Sequence, residues 1–257
     1  MSKRHRKTFD PSHPAPYELS RSRIENFMQC PACFYMQQVE GIVFPSIPNF
    51  NLNTATDILL KRDFDRYRGT ECTHPYLVAQ GYSHLIPFEH ESLDKWANSM
   101  HYGAEGYFHT VHEETNLKIG GGLDDVYQNK NNNKLHIIDY KSTSSGRDIQ
   151  EMTLDGKWKL AYKRQMDLYV WVFRRMGFDV DDTGYFLYVD GDRFTMSDFL
   201  GETKALMEFK VTFIPYQTDL NWIEPTLIAI KKLLHSDKRP DHHEDCEHGQ
   251  FLQSSAS

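Results

Sequence analysis

One stretch constrains this chain more than any other: residues 120–144, GGGLDDVYQNKNNNKLHIIDYKSTS. Leu123, Val126 and Tyr127 lie in one short run of strand-forming residues, and Leu135, Ile137 and Ile138 lie in a second. Between them stands Asn129-Lys130-Asn131-Asn132-Asn133, whose asparagines favour a turn. The pattern predicts a β-hairpin with its loop centred near Asn131 or Asn132. Antiparallel pairing then sets Asp124 opposite Ile138 or Asp139. Asp139 and Lys141, two apart on the second strand, point to the same face. Two carboxylates and an ammonium would converge where the strands end. Such oxygens suit a hard cation such as Mg²⁺, which takes one or two protein carboxylates and keeps several waters. A neighbouring lysine would position water or offset charge building on a phosphate.

The order Gly121-x-x-Asp124, a hairpin, then Ile137-Ile138-Asp139-Tyr140-Lys141 resembles the core of the PD-(D/E)XK nuclease superfamily, in particular its RecB-like branch. Two further segments carry the resemblance. Residues 19–35 read as a short helix capped by Ser20, with Ile24, Phe27 and Met28 on one face, running into Cys30-Pro31 and the aromatic pair Phe34-Tyr35. Residues 158–176 form the strongest helical pattern in the chain, ended by Gly177, and hold Gln165-Met166-Asp167-Leu168-Tyr169, a Gln-x-x-x-Tyr pair four apart on one face.

The resemblance implies an α/β fold: a restriction-endonuclease-like core with a central mixed β-sheet flanked by helices. It implies metal-dependent hydrolysis of DNA phosphodiester bonds. Asp124 and Asp139 would hold Mg²⁺ or Mn²⁺ with the Tyr140 carbonyl, and Lys141 would serve the water or the phosphorane. Gln165 would orient Lys141, a water or the backbone of the nucleic acid, with Tyr169 beside it and Lys159, Lys163 and Arg164 near the phosphates. Relatives complete the metal site from a helix corresponding to residues 52–68, where Asp57 is the candidate and the expected histidine is absent. DNA is the implied partner, with a helicase or another repair or defence protein in attendance. A non-catalytic nucleic-acid or protein-binding module on the same fold is the competing expectation, and a zinc hydrolase lacks any H-E-x-x-H pattern to support it.

The chain of 257 residues has 39% hydrophobic and 13% aromatic content, enough for a packed core. It is expected to hold an arm over residues 1–16, a single domain over 17–249 and a tail over 250–257. No apolar run approaches the roughly 20 residues of a membrane span, and no secretory h-region is visible, so a cytoplasmic protein is expected. The net charge of −7 is unusual for a nucleic-acid enzyme, and local basic groups such as Lys61-Arg62 and residues 157–164 would have to supply the binding surface.

The helix over 52–68 is expected to bury Leu52, Ala55, Ile58, Leu59 and Phe64. Residues 106–117 are expected to form a strand leading to the hairpin, with His109, His112, Glu113 and Glu114 as secondary candidates for the site. Strands are expected at 184–189 and 210–216, a closing helix at 222–235, and a mobile loop at 142–156.

Four cysteines stand at 30, 33, 72 and 246. Some RecB-like nucleases hold a four-cysteine iron–sulfur cluster with one N-terminal and three C-terminal cysteines. This chain keeps Cys30 but has Gly249 where a second cysteine of a C-terminal C-x-x-C would fall, which disfavours the cluster. Cys30, Cys33, Cys246 and His248 have the right types for a structural zinc site; reduced thiols meeting where the chain ends come together are the preferred expectation.

Overall fold

A computed structural model describes residues 8–45, 51–98, 106–145 and 153–255. In chain order its elements are β1 (Tyr17–Ser20), α1 (Arg21–Gln29), α2 (Pro31–Gln38), α3 (Asn51–Asp65), α4 (Pro75–Ala79), β2 (Leu85–Pro87) and α5 (Leu93–Asn98). There follow β3 (His109–His112), β4 (Leu117–Gly120), β5 (Asp125–Asn129), β6 (Leu135–Thr143), a 3₁₀ turn (Lys157–Lys159), α6 (Leu160–Arg175), β7 (Thr183–Gly191), β8 (Phe209–Gln217), α7 (Ile223–Leu234) and α8 (Glu247–Ser255). The chain divides into two compact units that interleave along the sequence: residues 1–47, 109–121 and 219–257 in one, 48–108 and 122–218 in the other.

The second unit contains the five-stranded sheet β2-β5-β6-β7-β8. β5 and β6 form the hairpin expected from the asparagine cluster, and the register sets Asp125 opposite Ile138. Asn133 adopts the left-handed conformation that the turn needs. β6 and β7 run parallel while the remaining pairs are antiparallel, so the sheet is mixed. A parallel neighbour needs a crossover connection, and α6 supplies it. Leu135 through Tyr140 are all buried, as a central strand covered on both faces demands. One face packs Ile138, Tyr140, Leu187 and Phe213 with Phe64 of α3 and Leu77 of α4. Asp139, which alternates with Ile138 and Tyr140, bonds to Gln165 of α6.

α3 is oriented differently from its hydrophobic pattern. Leu52, Ile58 and Leu59 are exposed, and Phe64 is its one buried residue. Its more enclosed positions include Asp57, Leu60, Lys61 and Phe64, at helical spacing. The helix therefore turns a carboxylate and an ammonium inward where an apolar face was expected. Of the loop expected at 142–156, residues 142–143 extend β6, and residues 146–152 lie outside the described residues.

The first unit holds the three-stranded sheet β1-β4-β3, in which β1 and β4 pair in parallel across about a hundred residues of chain. The strand expected over 106–117 is instead split: β3 and β4 form their own hairpin, with Glu113 and Glu114 in its turn. Ser20 caps α1 by accepting from Arg23 N–H at 3.4 Å. Pro31 ends α1 but begins α2, where its missing N–H costs nothing. α7 buries Ile223, Leu227, Ile230 and Leu234 along one stripe. Phe9, inside the stretch expected to be an arm, is held edge-on to Tyr17 and His235. α8 likewise carries helix into residues 250–255, expected as a tail; residues 1–7 and 256–257 lie outside the described residues.

Candidate active site

β5 begins at Asp125, so Asp124 stands just beyond the ladder, level with Asp139 on β6. Its side chain continues the pairing that the backbone has left: Asp124 Oδ2 accepts from the Tyr140 N–H at 3.0 Å. A strand residue's N–H and C=O leave on the same side, so by strand geometry the Tyr140 carbonyl also opens toward Asp124. Lys61 Nζ bridges Asp124 Oδ1 at 3.0 Å and Asp57 Oδ2 at 3.1 Å. Burial, and then the neighbouring Asp124 charge, hold the Asp57 carboxyl above its ordinary range. Burial acts against the charge on Lys61, but Asp124 and Asp57 together outweigh it and raise the ammonium.

Asp139 is buried, its carboxylate shared between two neighbours. Oδ1 accepts from Gln165 Nε2 at 2.6 Å, and Oδ2 forms an ion pair with Lys141. Lys141 Nζ also lies 5.0 Å from the centre of the Tyr162 ring, a cation–π contact. Lys159 Nζ lies 5.3 Å from the centroid of the same ring and donates to Tyr188 Oη at 2.6 Å. Burial first, and nearby Lys141 with it, push the Lys159 ammonium down. Tyr169, one turn beyond Gln165, is buried with its ring edge-on to Phe108.

Asp125, the other acid of the pair, points into the core. It accepts from Arg68 Nη2 at 2.7 Å, from Tyr140 Oη at 2.7 Å and from the Val126 N–H at 2.8 Å. Burial keeps its carboxyl raised, while Arg68 and Tyr140 pull the other way. This network anchors the start of β5 and hence the position of Asp124.

Asp57, Asp124, Asp139, Lys141 and Gln165 thus meet in one place, with Tyr140 contributing backbone. The secondary candidates do not join them in these contacts. His112 is buried in the three-stranded sheet's unit, paired with Glu224 at 2.6 Å and with Thr115 at 2.8 Å. By sequence, Lys61 and Arg68 stand only among the local basic groups, not beside the metal-binding candidates. The Asp57-x-x-x-Lys61 spacing, an i,i+4 pair on one helix, is the signal that points to the first.

The donor set suits a hard divalent cation. It is made of carboxylate and carbonyl oxygens without sulfur or imidazole. In addition, Gln165 Oε1 is buried with no hydrogen-bond donor among the described residues, an acceptor that a hydrated ion or its water would satisfy.

The chain belongs to the PD-(D/E)XK nuclease superfamily, whose sequence model matches residues 18–248. No curated protein matches it. Among solved structures it is similar to SSO0001, at 18% identity and a TM-score of 0.29 over 53% of this chain, and it spans 50% of that one.

Proposed function

We propose that this protein is a Mg²⁺- or Mn²⁺-dependent deoxyribonuclease of the RecB-like branch, hydrolysing DNA phosphodiester bonds in repair or defence. The observation that carries the reading is the convergence of Asp124, Asp139 and Lys141 where β5 begins beside the middle of β6, with Asp57 alongside. Asp124, Asp139, Asp57 and the Tyr140 carbonyl would hold the ion. When bound, the ion supplies Lewis-acid activation of water and charge neutralisation at the phosphate.

The chain's own groups do the rest. Gln165 fixes the Asp139 carboxylate through Oδ1 while Lys141 holds Oδ2, so both oxygens keep a set direction. Lys141 Nζ, held between Asp139 and the Tyr162 ring, donates to a phosphate oxygen and offsets the charge that grows as water attacks phosphorus and the bond to the leaving oxygen breaks. Lys159 is a second donor for the phosphate backbone. Tyr169 would act from the core as a support for the helix that presents Gln165. No helix of the described residues is long and apolar enough to cross a membrane, and we place the protein in the cytoplasm. A helicase or another repair or defence protein is the partner proposed for it.

One other reading is a nucleic-acid or protein-binding module on the same fold that has no catalytic role; the net charge of −7, which works against phosphate binding, favours its protein-binding form. A substrate panel separates the two. Linear and circular, single- and double-stranded DNA are incubated with Mg²⁺, Mn²⁺ or EDTA. Cleavage that requires the ion supports the nuclease, and the circular substrates report whether an end is needed. Metal-independent DNA binding without cleavage of any substrate supports the module.

A further inference from the structure

We infer that Cys30, Cys33, His242 and Cys246 form a structural zinc site that joins the turn between α1 and α2 to the segment before α8. Their ligand atoms all lie within 4.8 Å of one another. The sulfurs of Cys30, Cys33 and Cys246 each stand 3.6 Å from His242 Nδ1, and those of Cys33 and Cys246 are 3.3 Å apart. Hydrogen bonding does not explain this arrangement, because one imidazole nitrogen has one proton or one lone pair to give, not three. A single tetrahedral ion does: Zn–S near 2.3 Å and Zn–N near 2.0 Å put neighbouring sulfur and nitrogen atoms about 3.6 Å apart.

The surroundings fit thiolates held by a metal. The Cys33 N–H donates to the Cys30 sulfur and the Gly249 N–H to the Cys246 sulfur at 3.4 Å, so the same i+3 backbone-to-sulfur bond occurs in both arms. The His243 N–H adds a second donor to Cys30. Such bonds orient ligands and stabilise the charge of bound thiolates. Cys30 and Cys33 are buried together with Ala32, and Phe44 packs against them.

The structure corrects the ligand expected from sequence. His248 lies on α8 and stacks on Phe44 at 4.4 Å, so His242 takes the fourth position. It also explains why Gly249 replaces a cysteine. A Cβ at Gly249 would lie 2.6 Å from His242 Cβ and 2.8 Å from its Cγ, so a side chain there and the histidine exclude each other. A four-iron cluster needs four ligands spread around a much larger core; this set is one cysteine short and too tight.

The test uses the whole chain, expressed without a polyhistidine tag. Its zinc, iron and acid-labile sulfide are measured, and the metal-free form is titrated with Co²⁺. The inference expects close to one zinc per chain and a Co²⁺ spectrum of tetrahedral, sulfur-rich type. In the native protein only Cys72, which is exposed, should react with a thiol reagent, rising to all four cysteines after chelation. His242→Ala and Cys246→Ser should lose the ion, and His248→Ala should keep it. Gly249→Ala, which removes no ligand, should weaken zinc binding at least tenfold. Should a variant misfold, His242→Cys decides: it should retain a tetrahedral Co²⁺ with a four-thiolate spectrum. Iron with sulfide in place of zinc, four freely reactive thiols in the native chain, or zinc kept by His242→Ala and lost by His248→Ala would each overturn it. None of these readings depends on DNA cleavage.

Discussion

Replacing Arg68 by methionine should destabilise this protein far more than a typical surface arginine would. Arg68 pairs with Asp125, a carboxylate 3% exposed, at 2.7 Å, and also contacts Asp65 and the Phe88 carbonyl. Methionine keeps much of the side-chain volume but leaves Asp125 charged, buried and without its cation. The Tyr140 hydroxyl and Val126 N–H remain, and they do not neutralise it. Removing one partner of a buried ion pair costs about 3–5 kcal/mol. At roughly 2–4 °C per kcal/mol for a chain of this size, the melting temperature should fall by about 6–20 °C. The assay is urea denaturation at pH 7.5 for the wild type, Arg68→Met, Asp125→Asn and the double variant. Asp125→Asn keeps the shape and an acceptor while removing the charge, so the double variant should recover at least half of the single variant's loss. An Arg68→Met protein within 0.5 kcal/mol of the wild type, or a double variant whose loss is the sum of the two singles, would refute the reasoning.

Three more outcomes follow from the same contacts. Lys61→Met removes the ammonium lying between Asp57 and Asp124, so Mn²⁺ should bind more tightly by roughly 1 kcal/mol, about fivefold, in a calorimetric titration. Gln165→Leu strips a hydrogen bond from a buried carboxylate, worth about 1.5–3 kcal/mol, and should lower kcat for DNA cleavage about tenfold to a hundredfold and the melting temperature by about 3–12 °C. His136 donates from Nδ1 to the Thr183 carbonyl at 2.8 Å, and its buried Nε2 has no partner among the described residues; burial depresses its pKa below the ordinary 6.5. The folded protein then resists the proton that the unfolded chain accepts. Stability should be full above pH 6.5 and decline as pH falls through that value toward the depressed pKa, with a slope approaching about 1.4 kcal/mol per pH unit from this one site. His136→Gln should flatten that slope in pH-dependent melts.

The parts of this molecule written in short-range pattern could be read from its sequence. The apolar run Leu135 to Ile138 and the turn chemistry of the asparagines are local, and with them came a register that set Asp124 opposite Ile138 or Asp139; the structure takes the second. The Gln165–Asp139 bond was foreseeable only as a face of a helix, because nothing in the spacing says which strand residue that face meets. The α3 helix misled for a physical reason: Asp57 and Lys61 take its inward face and are held there by their ion pairs with each other and with Asp124, which leaves Leu52, Ile58 and Leu59 in solvent. The β1–β4 pairing spans about a hundred residues, and no local signal announces a parallel partner so distant. His242 was passed over for His248 because proximity to Cys246 in sequence favoured the latter. The start of α8 at Glu247 carries His248 to Phe44 instead.

The central claim is that Asp124, Asp139 and Lys141 form a working hydrolytic site, and initial rates of DNA cleavage in Mg²⁺ test it most directly. Wild type is compared with Asp139→Ala and with Lys141→Met on one labelled linear duplex and its single strand. The account predicts metal-dependent cleavage by the wild type and a loss of at least a hundredfold in each variant, with the fold retained by circular dichroism. Cleavage by both variants at rates within threefold of the wild type would contradict it, as would a folded, zinc-replete wild type that cuts neither substrate.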